Sequence, residues 1–178
     1  MNIAVSPGHR HYPFQNLNGH DTKNGDIAME KALFWEDFTP GRTWAATQPA
    51  AITEGQIIAF ATEYDPLDMH IDPDLAHSSP LGVHCASAVQ TFGFAQRLMC
   101  EALFLQTSLV AGGKIDAFRL IAPVVPGDKL KLSAQVLRLL IHTRNPNRGW
   151  VVFDVEVATT TGKAVLAYEI TVLILRRS

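Results

Sequence analysis

Residues 85–106 read CASAVQTFGFAQRLMCEALFLQ, and the fold turns on what this stretch is. Read as a helix, it carries apolar side chains on nearly every face, and a helix that is apolar all round is a buried one. Gly93 in its middle weakens a helix, which points to close packing against another backbone there. A long buried helix needs a shell around it.

The residues that follow supply one. GKIDAFRLIAPV (113–124), KLKLSAQVLRLL (129–140), GWVVFDVEVATT (149–160) and AVLAYEITVLIL (164–175) all read as strands. Alternation is clear in Leu130, Leu132, Ala134, Val136 and again in Val151, Phe153, Val155, Val157. Pro126-Gly127-Asp128, RNPNRG and Thr161-Gly162-Lys163 separate these strands, and turns this short make neighbours antiparallel.

Toward the N-terminus, a Pro40-Gly41 turn precedes one more short strand. Thr53 is placed to cap a helix through GQIIAFATEY, with Ile57, Phe60, Ala61 and Tyr64 on one apolar face. That helix ends at Asp65-Pro66, since a residue before proline is pushed out of helical geometry. Strand, helix, loop, buried helix and four strands make an α+β domain: one antiparallel sheet wrapped around a central helix, the hotdog arrangement. It occupies 31–178, behind a flexible arm over 1–30 that shows neither helical nor strand periodicity.

Bulk properties narrow the function classes. The chain's 178 residues, 47% hydrophobic and 18% charged, fit one domain with a well-buried core. A net charge of −2 offers no broad footprint for nucleic acid or an anionic membrane. No apolar run approaches the roughly 18 residues of a spanning helix, and the first thirty residues lack a signal peptide's apolar core, so a soluble, cytoplasmic protein is expected. On the helical reading, Cys85 and Cys100 lie more than about 20 Å apart, too far for a disulfide, and are expected as small buried thiols. His9, His11 and His20 in the arm lack a fixed fourth ligand and read as solvated rather than metal-binding.

Between the two helices, Asp65, Asp68, His70, Asp72 and Asp74 crowd into ten residues. A carboxylate and an imidazole on one loop can hold a water and shuttle its proton. The same spacing also suits an acidic surface loop whose aspartates make turns and caps. Asp72 and Asp74 fit that second reading, at the helix start IDPDLA, and His77 and His142 read as surface or satisfied histidines.

The run FATEYDPLDMHIDPDLAHSSPLG (60–82) resembles the signature loop of MaoC-like dehydratases and R-specific enoyl-CoA hydratases, in which an Asp lies five residues before a His. Residues 112–137 and 144–165 are similar to that family's strand pair and last hairpin, with the Pro-Val-x-Pro-Gly-Asp turn intact at 123–128. The likeness spans Phe34 to Arg176. It implies that Asp65 and His70 are catalytic and activate water to hydrate a 2-enoyl thioester, with coenzyme A as part of the substrate and no metal or separate cofactor. Backbone N–H groups around Ser87, Ala88 and Val89 would hold the thioester oxygen. A homodimer or larger assembly is implied, with the site between subunits.

The chain also departs from the family pattern. Leu67 stands where an Asn is usual and Asp68 where a Pro is usual; Ser87-Ala88 stands for a His-Gly or Ser-Gly, and Gly93 for a serine. These changes bear on the substrate. They keep open two alternatives, a hotdog acyl-CoA thioesterase and a non-catalytic acyl-thioester binding module. His84 faces the pocket or serves as a half-buried linker; both readings stay open.

Overall fold

The computed structural model describes residues 33–177. The expected arm over 1–30, with His9, His11 and His20, lies outside them.

Pairing places the described strands in one antiparallel sheet of order β1-β3-β4-β5-β2. They are β1 (Thr43–Thr47), β2 (Leu109–Leu120), β3 (Leu130–Ile141), β4 (Arg148–Thr159) and β5 (Ala164–Leu175). The four long strands match the alternating segments, except that β2 begins four residues before the expected start. Between the two edges the chain makes a helical excursion: α1 (Glu54–Tyr64), α2 (Asp68–Ile71), α3 (Pro73–Ser78) and α4 (Ala88–Ala102).

The inner face of the sheet is the alternating set read from the sequence. Leu130, Leu132, Ala134 and Val136 of β3 and Val151, Phe153, Val155 and Val157 of β4 are buried. Ala95, Leu98 and Met99 of α4 join the same core, where hydrophobic burial supplies most of the folding drive. Before β1, Trp35 lies against Gly149, where any side chain would collide with the indole.

The central helix differs from its expectation in three ways. It starts at Ala88 and stops at Ala102, with a short 3-10 turn at Phe104–Gln106. It is amphipathic, since Val89, Gly93, Arg97 and Glu101 form an exposed stripe at four-residue spacing. And a Cβ on Gly93 would meet nothing within 4 Å, so the close backbone approach expected there is absent. The sheet curves around the remaining sides of α4: β1 and β3 lie against the helix, and Phe92 of α4 packs edge-on against Phe118 of β2 and Tyr168 of β5.

Local signals placed α1 well. Thr53 accepts from the Gln56 N–H while Gln56 reaches back to the Thr53 N–H, a capping box that satisfies two orphan donors. Ile57 and Ala61 are buried as expected, whereas Tyr64 is exposed, its ring 4.9 Å from that of Phe60. The segment after Pro66 holds α2, a single turn that the sequence does not announce, and then α3, capped by Asp72 as its pattern indicated.

Candidate active site

Asp65 and His70 come together because α1 stops and α2 starts within five residues. Asp65 caps the end of α1, its N–H donating to the Ala61 carbonyl. Pro66 turns the chain, and the α2 turn carries His70 back toward Asp65. His70 is 5% exposed. Its Nε2 stands 3.8 Å from Oδ2 of Asp65, whose side chain is 28% exposed. That gap is too long for a direct hydrogen bond and fits two groups sharing one water.

The other ring nitrogen decides the chemistry. His70 Nδ1 lies 2.7 Å from the carbonyl oxygen of Cys85. A carbonyl only accepts, so Nδ1 carries the hydrogen and Nε2 of the neutral ring presents a lone pair. The Asp65 carboxylate is also an acceptor. Two acceptors thus converge on one point, the arrangement that takes a proton from water. Burial pushes the Cys85 thiol up from its ordinary pKa, and its Sγ sits 3.9 Å from His70 Nδ1.

Both groups open on a cavity of about 220 Å³. Its other walls are largely apolar: Met69 and Leu81 on one side, Leu120, Ala122, Pro123 and Val124 on another, Ala88 and Thr91 from α4. The Pro-Val-x-Pro-Gly-Asp segment fixes the second wall. Gly127 takes a left-handed φ of +91°, Asp128 accepts from the Val125 N–H, and the Val124 carbonyl accepts from Ala86 N–H at 2.8 Å.

The three residues expected to hold an oxyanion part company. Ser87 is the buried N-cap of α4 and accepts from the Gln90 N–H. Ala88 lines the cavity, while Val89 is 59% exposed and does not line it. First-turn N–H groups have no intrahelical acceptor, so the positive end of α4 meets the cavity at Ala88. Two contributors went unseen in the sequence. Thr91 shares the Ala88 face one turn on, which helical spacing could have found. Cys85 acts through its carbonyl, for which side-chain identity carries no signal. Asp72 and Asp74 stay with the α3 cap.

With this geometry in hand, the comparisons are informative. Residues 37–157 match the MaoC like domain, more than half of the chain. The chain belongs to the MaoC-like family. Over 135 residues it is 29% identical to the uncharacterized protein YdeM of Bacillus subtilis, covering 75% of this chain and 92% of that one. The solved MaoC-like dehydratase from Rhodospirillum rubrum is similar at 27% identity and a TM-score of 0.74, over 82% of this chain and 99% of that one. R-hydratase PhaJ1 from Pseudomonas aeruginosa shares the fold at 20% identity and a TM-score of 0.60, over 81% and 86%. The hotdog architecture expected from the sequence is therefore shown, and with it a dehydratase family. Among the described residues, no three His, Cys, Asp or Glu side chains are grouped to hold a metal ion, and no helix is long and apolar enough to cross a membrane.

Proposed function

We propose that this MaoC-like protein is a hydro-lyase that reversibly adds water across the 2,3 double bond of a 2-enoyl thioester, with coenzyme A as the carrier. The observation that carries the reading is the convergence of the His70 Nε2 lone pair and the Asp65 carboxylate, 3.8 Å apart, on an apolar cavity at the start of α4. A water held by both gives its oxygen to C3. The proton it loses passes through the pair to C2, so the pair ends the cycle as it began. Negative charge that gathers on the thioester oxygen faces the N-terminal end of α4 at Ala88. Hydration changes no oxidation state, so the step calls for no redox cofactor.

An oligomer belongs to the same proposal. β2 is an edge strand whose twelve residues are exposed or half-exposed, Ile115, Phe118 and Leu120 among them. Such an edge is a ready template for a second chain. Light scattering at micromolar concentration is expected to report a dimer or larger, and a monomer would count against it.

The deciding experiment follows the enoyl-thioester absorbance with crotonyl-CoA and longer 2-enoyl-CoAs. The wild type is expected to bleach it without releasing thiol, and Asp65→Asn is expected to stop the loss. Free thiol would mean a thioesterase; binding without either signal would mean a carrier or sensor of acyl thioesters.

A further inference from the structure

His70 is only as well placed as its backbone, and its backbone is a single turn. Four residues make a helix of little intrinsic stability, and its last carbonyls have no partner inside it. The His70 N–H donates to the Leu67 carbonyl at 2.8 Å. Its own carbonyl accepts from Nε2–H of His84 at 2.9 Å. The next residue, Cys85, offers its carbonyl to the His70 ring at 2.7 Å. Consecutive residues thus grip His70 at two points, one holding the main chain and the other the imidazole.

His84 is 4% exposed and does not line the cavity. With Nε2 as its donor, the neutral ring leaves Nδ1 as a buried acceptor. That atom has no hydrogen-bond partner, the nearest carboxylate oxygen being Glu54 Oε2 on the first turn of α1 at 3.9 Å. A buried acceptor without a partner is destabilising. The bond to His70 offsets that cost and needs an N–H donor at this place.

We infer that His84 is a positioning residue for the reaction: it holds the His70 main chain so that the His70 ring keeps its Nδ1–H on Cys85 and its Nε2 toward Asp65. Its effect on turnover rests on the hydratase reading, but the brace can be observed without turnover. The nitrogen NMR shifts of the His70 imidazole report its tautomer directly. Wild type is expected to show Nδ1–H. In His84→Leu, which removes the donor, the signals are expected to move toward a tautomer mixture. There kcat should fall about 10- to 100-fold, as when an orienting hydrogen bond is lost, with KM little changed. His84→Gln, which places an amide N–H near the Nε2 position, is expected to restore both tautomer and kcat; His84→Asn, whose amide falls short, is not. If His84→Leu fails to fold, the Gln and Asn pair decides.

A wild-type tautomer that persists in a folded His84→Leu or in His84→Asn overturns the proposal, as does equal loss of kcat in the Gln and Asn variants. A wild type with no hydratase turnover but with the expected tautomer shifts would sink the function above and leave the brace standing.

Discussion

Two loop histidines of this chain look alike in sequence and are opposites in structure. His70 sits in an acidic, proline-bearing loop; His142 sits in the β3–β4 turn beside Arg144, Asn145 and Pro146. The Nδ1 of His70 donates to a carbonyl, which leaves Nε2 as a base facing a cavity. The Nδ1 of His142 accepts from the Arg144 and Asn145 N–H groups, at 3.3 and 3.1 Å, which puts the hydrogen on Nε2. Its ring stacks on Trp150 at 5.9 Å. One imidazole is spent on the local backbone, and the other is held ready for something absent from the chain. What separates them is whether the first nitrogen meets a carbonyl or an amide, and residue spacing does not reveal that.

The contrast can be broken most sharply at His70. His70→Ala is expected to lower the proposed hydratase turnover by about 10²- to 10⁴-fold, the usual range for a lost proton-transfer group, in a chain that still folds. His142→Ala is expected to leave turnover unchanged and to lower stability by about 0.5–1 kcal/mol, as two turn N–H groups exchange an imidazole for water. A matching loss of turnover at both positions would erase the distinction.

A third site shows electrostatics that are only structural. Arg177 grips Asp37 through two nitrogens, at 2.8 and 2.7 Å, and tethers the end of the chain to the 3-10 turn at Trp35–Asp37. The guanidinium hydrogen bond holds the Asp37 carboxyl below its usual range. A lowered folded-state pKa gives stability that is complete above the ordinary carboxylate value, near about 4, and that fades as pH falls through the lowered one. Acid unfolding in Arg177→Ala should lose this small component while activity at neutral pH stays intact. The pair is exposed, so the effect should be the smallest of the three.

Much of the fold was readable because it rests on local rules. The period-two strands, the Thr53 cap, the stop at Asp65-Pro66 and the Asp72 cap each have a cause within a few residues. The misreadings came where tertiary context decides. Val89 and Gly93 look like core residues by composition, yet they lie on the open side of α4, because the sheet curves around its other sides. Leu109 to Gly112, ahead of the strand expected from Gly113, become strand because β5 provides their partners. At the site, Asp65 and His70 stood out through resemblance rather than spacing, since an acid five positions before a histidine is common in surface loops. The grip of His84 and Cys85 on His70 crosses a gap of about fifteen residues and uses main-chain atoms, so it was invisible before the chain was folded.

The buried thiol of Cys85 has one more consequence. An activated alkene is a carbon electrophile, and among protein groups a thiolate is the nucleophile best suited to trap it. Cys85 lines the very cavity in which such an alkene would sit, yet burial keeps its sulfur protonated at neutral pH. On the hydratase reading, the pocket carries a sulfur against its ligand without alkylating itself, and iodoacetamide should reach Cys85 readily only once the chain unfolds.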